Sequence, residues 1–376
     1  MLRLNSLLLR NFRNYRECRL DFHPRLNIIC GDNAQGKTNL LEAVAYLSLG
    51  SSFREQNEDK IKRWNADFFF LKAELCAKDG AHILSAGYQQ RRRFWKKDEQ
   101  PCRKISEIAG LLHTVVFQPE DLELVKKGPE VRRHFLDREM IQLYRGYHLY
   151  LNNYKKALLQ RNNFLKQLEL NTAVDDELSV WEEQLTVNGA VIVKMRYQMI
   201  KRLNMISRQI HGELSGGAEE LRLEYISPLS ELTADEEENE TVLVERLRQL
   251  YAAGRSEDIR RRQTLLGPHR DDFRIYINDV EGRYFGSQGQ QRTAALALKL
   301  SEVELVRQVA GYYPLLLLDD VFSELDAGRR QALLRLMLHK AQIFITATEV
   351  GGDMRGLPKE DYYLFRIQDG EAALQK

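Results

Sequence analysis

Proline is scarce in this chain and almost missing from its middle. Of eight prolines in 376 residues, only Pro228 falls between Glu130 and Arg262. A stretch that long without the residue that breaks helices is free to run as long helices. Cysteine is scarcer still. Cys18, Cys30, Cys76 and Cys102 stand far apart, with no CxxC pair and no histidine at ligand spacing. That excludes a disulfide framework and a zinc module, and fits reduced thiols in a cytosolic protein. No apolar run approaches membrane-spanning length, so no membrane partner is expected. The opening MLRLNSLLLRNFRNY has too short an apolar core for a signal peptide and alternates like a strand, which makes cytoplasmic residence the expectation. Excess charge is also lacking. A net charge of +2 rules out a uniformly basic surface, so any nucleic-acid site must be local. No internal repeat is present.

What the chain does have is two textures. Up to about Val125, short apolar strands alternate with charged turns: LNSLLLRNF, CRLDF, RLNIIC, FFFLKAEL and AHILSAGY, with RRRFWKKDEQPCRK as an exposed basic hairpin. From Glu130 to Arg262, apolar residues recur at three-and-four spacing over long spans, the mark of amphipathic helices. The acidic run ELTADEEENE within this region reads as a solvated loop. After GPHRDDF (267–273) strands return as FRIYIN, YYPLLLLDD and QIFITAT. The simplest organisation is one α/β domain built from both chain ends (1–129 and 263–376), with a helical arm (130–262) inserted between them.

Chemistry concentrates at strand ends. Gly31–Thr38, GDNAQGKT, follows the run RLNIIC and precedes NLLEAVAYLSL, so GxxxxGK[ST] sits between a strand and a helix as a phosphate loop requires. Gly31 and Gly36 permit the backbone path, and N–H groups across Asp32, Asn33, Ala34, Gln35 and Lys37 can wrap a β-phosphate. Lys37 reaches the β/γ oxygens, and the Thr38 hydroxyl suits Mg2+. In LLLLDD, four leucines deliver Asp319 and Asp320 to the carboxyl end of a buried strand, where α/β sheets bind ligands. Asp319 is the candidate metal ligand and Asp320 the candidate to polarise an attacking water. VFQPEDL ends a strand at Gln118, an amide suited to Mg2+ or the lytic water. Asp326 of SELD lies close enough to the site to influence a neighbouring chain. QIFITAT ends in hydroxyls, and Thr346 or Thr348 could sense a γ-phosphate, Thr348 being the choice. GSQGQ (286–290) places glycines and amides before a helix expected to begin near Arg292.

GDNAQGKTN, VFQPEDLELV, GSQGQQRT, LLLLDD and SELD, in this order, are similar to the motif series of an ABC-type P-loop ATPase head, a fold of mixed sheets plus helices. With NFRNY and GPHRDDF added, nearly the whole chain resembles the RecF family of bacterial recombination-mediator ATPases. That resemblance implies ATP and Mg2+ as ligands, an ATP-dependent homodimer, and weak, DNA-stimulated hydrolysis that resets a clamp. It implies action in DNA repair and replication on double-stranded and gapped DNA without sequence preference, with RecR as partner and RecO and RecA in the pathway. By the same resemblance, Ser287, Gln288, Gly289 and Gln290 close over the nucleotide of a second subunit, and Arg13 approaches the phosphates. Three positions depart from the ABC pattern. Asp320 stands where glutamate is usual, GSQGQ replaces LSGGQ, and no switch histidine follows QIFITAT. An SMC-like or other ABC-type ATPase head acting in DNA metabolism without RecA loading is the alternative, although about 130 inserted residues folded back on themselves reach at most ~100 Å.

DNA-contacting candidates are three basic clusters. They are Arg91, Arg92, Arg93, Lys96 and Lys97 around Phe94 and Trp95; Lys126, Lys127, Arg132 and Arg133; and Arg260–Arg262 with Arg270. No helix-turn-helix, zinc-finger or OB pattern accompanies them, so backbone or structure-selective binding is expected.

Overall fold

Leu4, Leu7, Leu9 and Phe12 are buried along the first strand, and the period-two alternation slips twice, at Leu4/Ser6, where a bulge shifts the pairing register, and between Leu9 and Phe12, where Asn11 has φ 51°. The computed structural model describes residues 2–375 apart from 56, 104–106, 109, 145, 168–174, 230–231 and 350–358. In chain order, β1 (Arg3–Phe12) and β2 (Tyr15–Asp21) form a hairpin, and β3 (Leu26–Cys30) leads into α1 (Lys37–Leu49). A meander of β4 (Phe68–Ala77), β5 (Gly80–Gln89), β6 (Arg92–Lys97) and β7 (Gln100–Cys102) precedes β8 (Thr114–Phe117). Next come α2 (Pro129–Leu143), α3 (Tyr147–Gln167), α4 (Asp175–Ser215), β9 (Leu221–Ile226), α5 (Ala234–Glu238) and α6 (Glu240–Arg261). They are followed by β10 (Asp272–Ile277), β11 (Val280–Glu281), α7 (Gly282–Phe285) and α8 (Gln288–Ala310). The chain closes with β12 (Leu315–Leu318), α9 (Val321–Glu324), α10 (Ala327–Met337), β13 (Ile343–Ala347), β14 (Tyr362–Gln368) and β15 (Glu371–Leu374).

Two units emerge. The first joins Met1–Leu122 to Lys299–Lys376. It contains an antiparallel sheet, β2-β1-β4-β5-β6-β7, and a mostly parallel sheet, β15-β14-β3-β13-β12-β8. Helix α1 packs on strands of both sheets. Every residue from Leu40 to Leu47 is buried, so α1 has no solvent stripe and its glutamate, Glu42, is enclosed. Phe12, Tyr46 and Phe69 meet edge-on in this core, with ring centroids 5.4–6.5 Å apart.

The second unit, Glu123–Leu298, is helical around a three-stranded sheet, β11-β10-β9. Here the expected boundaries shift. FRIYIN, assigned from sequence to the α/β domain, is β10, and it pairs antiparallel with β9 from inside the expected arm. Part of ELTADEEENE is also ordered rather than a loop, because Thr233 and Glu236 exchange hydrogen bonds as a capping box and start α5.

GPHRDD ties this unit together. Gly267 has φ +119°, and a Cβ there would lie 2.5 Å from the Tyr154 and Tyr251 hydroxyls. Buried Arg196 donates to the Pro268 carbonyl at 2.6 Å and to Asp137 at 2.7 Å. Tyr225 donates to Asp271, and Arg132 grips Asp272 through two bonds of 2.8 and 2.7 Å. Fully enclosed Arg161 donates to Asp258, Thr264 and Glu182. Isolated buried charges would be costly; here each guanidinium meets carboxylates.

His269 sits in the same web. The Tyr154 hydroxyl lies 2.7 Å from its Nδ1, and its Nε2 lies 3.1 Å from the Thr264 carbonyl, an arrangement that suits the neutral ring with the proton on Nε2. Burial, aided by nearby arginines, pushes its pKa down to about 4. The unfolded chain therefore binds this proton near pH 6.5 and the folded one does not, so the stability is present above 6.5 and is lost as pH falls toward 4. The effect is roughly 3 kcal/mol across that window. Chemical denaturation at pH 7 and 4.5 should show a markedly smaller acid loss in His269→Gln than in the wild-type chain; equal losses would remove this account.

Candidate functional site

Strands β8, β12, β13, β3 and β14 are parallel neighbours. Leu318 pairs with both Phe117 and Ile345, and Ile345 pairs with Ile28, so their carboxyl ends are level. That single register delivers Gln118, Asp319, Thr348 and the loop starting at Gly31 to one edge of one sheet, the position where such sheets bind ligands.

The loop is strongly shaped. Gly31, Ala34 and Gly36 have φ of 156°, 67° and 116°. A Cβ on Gly36 would come within 2.6 Å of the Asn14 side chain, and one on Gly31 within 2.4 Å of the Ile367 carbonyl. The glycines are thus required both for backbone path and for close approach. Asn14 donates to the Gln35 carbonyl at 2.7 Å, Tyr15 donates to that of Gly36 at 3.0 Å, and the Asp369 N–H donates to the Gln35 side chain at 2.6 Å. Lys37 is folded across the loop, donating to the carbonyls of Gly31 (2.6 Å) and Asp32 (2.8 Å). Thr38 donates to Asp319 at 2.8 Å, coupling loop to strand end.

Asp319 is 6% exposed. Burial pushes its carboxyl above the usual carboxylate range, against the opposing pull of hydroxyl bonds from Thr38 and Thr346. Thr346 donates to Asp319 at 2.9 Å and accepts the Asp320 N–H at 2.8 Å. Asp320 has φ 54°, the left-handed region that is uncommon for a residue with a Cβ, and its carbonyl accepts from Ser323 at 2.6 Å. Of the two candidate threonines, then, Thr346 spends its hydroxyl inside the Asp319–Asp320 turn, and Thr348 is exposed just beyond β13. Gln118 is half-buried, and its backbone is pinned to Asp121 by bonds of 2.9 and 3.0 Å. Asp326 caps α10 by accepting the Arg329 N–H at 2.9 Å, a bond that holds its carboxyl below the usual range.

Arg13 lines the cavity beside the loop, next to Asn14. Its guanidinium is engaged by Glu42, at 2.9 and 2.5 Å, and by the Lys60 carbonyl at 2.9 Å. A fully buried carboxylate on α1 demands such a partner, and Ser52 also donates to it. Glu42 and the buttressing role of Asn14 escaped the sequence reading; the one available signal was an acid inside the otherwise apolar NLLEAVAY. Beside the loop lies an open cavity of about 960 Å3 whose lining includes Asn14, Asn39, Arg54, Lys62, Arg63 and Trp64.

In the second unit the GSQGQ helix starts earlier than expected, at Gln288 rather than near Arg292. Ser287 Oγ accepts the Gln290 N–H at 3.2 Å while Gln290 Oε1 accepts the Ser287 N–H at 2.8 Å. This reciprocal pair is a capping box, which allows the helix to begin inside the glycine-rich segment. Ser287 and Gln288 are exposed, and Gly289 and Gln290 half-exposed.

The basic clusters divide. Arg91 and Arg92 are exposed at the β5–β6 turn and Lys96 and Lys97 are partly exposed, while Arg93 pairs with Glu58 at 2.5 Å. The aromatics between them face the protein: Phe94 stacks on Phe70, and Trp95 packs against the core. Arg132 leaves the candidate set, because it is buried and committed to Asp272 and the Lys127 carbonyl. Arg133 is half-buried and donates to the Asp271 carbonyl. Lys126 and Arg270 are exposed; Lys127 pairs with Glu123, and Arg260 and Arg261 pair with Glu257.

The family described as RecF/RecN/SMC N terminal domain matches residues 3–352. The DNA replication and repair protein RecF of Halothermothrix orenii is 42% identical over 368 residues, covering 98% of this chain and 97% of that one. Its counterpart from Clostridioides difficile is 38% identical over 370 residues, 98% of each. Among solved structures, the recombination mediator protein RecF-ATPrS in the RecFOR pathway superposes with TM-score 0.90 at 34% identity, covering 100% of this chain and 98% of that one. An SMC head bound to a winged-helix domain of ScpA, at TM-score 0.57 and 13% identity, shares the fold alone. Level strand ends, a phosphate loop tied to Asp319 and kinship over nearly the full length agree: the chain belongs to the RecF family, with the ABC-type ATPase head that family shares with SMC proteins.

Proposed function

We propose that the chain is an ATP- and DNA-binding repair and replication protein that dimerises with ATP on DNA and hydrolyses it slowly. It acts at single-strand gaps and single-strand/duplex junctions to help RecO and RecR load RecA. The observation that carries the nucleotide part is the Thr38–Asp319–Thr346 hydrogen-bond chain, which joins the phosphate loop to the neighbouring strand ends. A relative solved as RecF-ATP, 33% identical with TM-score 0.87, supports the same ligand.

The residues fit the groups this reading requires. Lys37 lies over the loop mouth on two carbonyls, which it exchanges for β/γ-phosphate oxygens. The cavity beside Asn14 and Asn39 has room for the remainder of the nucleotide. Thr38 and Asp319 offer adjacent hard oxygens, the donor type Mg2+ takes, and among the described residues no cluster of three or more ligating side chains competes for it. Bound there, Mg2+ neutralises phosphate charge. Asp320, beside it, accepts a proton from water oriented by the Gln118 amide, and Asp326 contacts the neighbouring subunit. Thr348, just past β13, contributes a γ-phosphate sensor. Ser287, Gln288, Gly289 and Gln290 present an exposed helix N-terminus to the γ-phosphate held by the partner. Arg13, held by Glu42 and lining the same cavity, approaches the nucleotide phosphates. Among the described residues no helix is long and apolar enough to cross a membrane, which agrees with a cytoplasmic site of action.

Sedimentation without nucleotide, with ADP and with ATP is the test. ATP alone should drive the wild-type chain to a dimer, and Ser287→Arg should stay monomeric with ATP still bound; a wild-type monomer under every condition would falsify the sandwich. Lys37→Ala should abolish ATP binding in equilibrium dialysis. Asp320→Asn should slow turnover by about two orders of magnitude and keep, or lengthen, residence on DNA, whereas loss of the ATP-dependent dimer in this variant would count against a clamp. For DNA, replacing Arg91 and Arg92 with glutamate should weaken duplex binding for all sequences and flatten the log affinity against log salt slope by about 2. An unchanged slope removes that hairpin from the DNA surface.

A further inference from the structure

Among the described residues, the two most exposed large hydrophobic side chains are Trp64 at 91% and Phe285 at 73%, with Tyr284 close behind at 66%. Single exposed aromatics are ordinary. These stand beside the two halves of the nucleotide sandwich proposed above. Trp64 lines the cavity next to the phosphate loop, together with Arg54, Lys60, Lys62 and Arg63. Tyr284 and Phe285 end α7, with only Gly286 between Phe285 and Ser287.

The aromatic pair is fixed to the signature helix. Gln291, on the first turns of α8, donates its side-chain amide to the carbonyls of Gly282 at 2.9 Å and Arg283 at 3.3 Å. The Gly286 N–H also donates to the Gly282 carbonyl at 3.1 Å. Two residues of chain span at most ~7 Å, so wherever Ser287 docks, Phe285 arrives within that distance. The cavity rim offers what an aromatic face prefers: clustered cations, which attract the negative face of a ring, and a tryptophan against which it can stack.

We propose that Tyr284 and Phe285 seat against the cationic, Trp64-bearing rim of the cavity of a second copy of this chain, forming an aromatic contact that strengthens the ATP-dependent dimer beyond the phosphate contacts of Ser287 and Gly289. This rests on the sandwich reading, extending it to a protein–protein contact.

The experiment is sedimentation equilibrium in ATP of the full chain, comparing wild type, Tyr284→Ser with Phe285→Ser, Trp64→Ala, and all three changes together. ATP binding is measured in parallel on each chain at concentrations where it is monomeric. The paired serine variant should bind ATP like wild type but dimerise at least tenfold more weakly. At saturating ATP, Trp64→Ala should also dimerise at least tenfold more weakly, and the triple variant should be little worse than either, because both remove one contact. If wild type does not dimerise, the sandwich itself fails. If wild type dimerises and the serine variant matches it within twofold, the aromatic contact alone is overturned. Fully additive losses place the pair against some other surface, and weakened ATP binding by the Trp64→Ala monomer assigns the tryptophan to its own nucleotide; either result overturns the proposed seat.

Discussion

The buried carboxylate of Asp319 is the constraint on which the site depends. It follows β12, between β13 and the edge strand β8, and its hydrogen-bond donors are two neutral hydroxyls, from the phosphate-loop helix and from β13. Hydroxyls orient a carboxylate without neutralising it. Burial makes the charged form expensive, visible as the upward displacement of its pKa, a cost that the Mg2+ proposed above would relieve. The same three residues set the spacing between loop and strand ends, so one arrangement both positions the loop and buries the carboxylate.

Around that arrangement the loop is held from outside its own sequence. Asn14 and Tyr15 reach it from the β1–β2 hairpin, and Asp369 and Gly370 from the β14–β15 turn. Gly36 is packed so closely on Asn14 that no larger residue fits without moving it. NFRNY therefore belongs to the site through Asn14 as a buttress, while its arginine is drawn to Glu42. A charge enclosed on an apolar helix holds the nearest guanidinium, because leaving it unpaired would cost several kcal/mol.

Sequence was informative where local chemistry and local geometry coincide. GDNAQGKT and LLLLDD were legible because glycine placement, strand hydrophobicity and ligand chemistry occur within eight residues of each other. Legibility fell where the deciding partner is distant. Arg132 and Arg133 read as a basic cluster beside Lys126 and Lys127, yet Asp272 and the Asp271 carbonyl, some 140 residues away, take them into the interior. Phe94 and Trp95 read as nucleic-acid aromatics, but they sit on opposite faces of β6, Trp95 packed against the core and Phe94 stacked on Phe70. FRIYIN was correctly a strand and wrongly placed, since strand character does not name the partner, and its partner was β9 inside a segment whose composition is overwhelmingly helical.

The GSQGQ segment joins these threads. A glycine-rich run normally argues against helix, yet Ser287 and Gln290 cap each other and the helix begins within it. The capping box uses one acceptor on each side chain. It leaves the Ser287 hydroxyl proton and the Gln290 amide hydrogens as donors at the exposed start of a 23-residue helix. Structural and functional demands therefore do not compete here: the bonds that fix the helix start are the ones that orient its remaining donors outward. Small residues at this position admit close approach by an anion, and Gln291 behind them anchors α7. A segment built this way is held in place by its own bonds, which lowers the ordering cost of the closure over a partner's nucleotide proposed above.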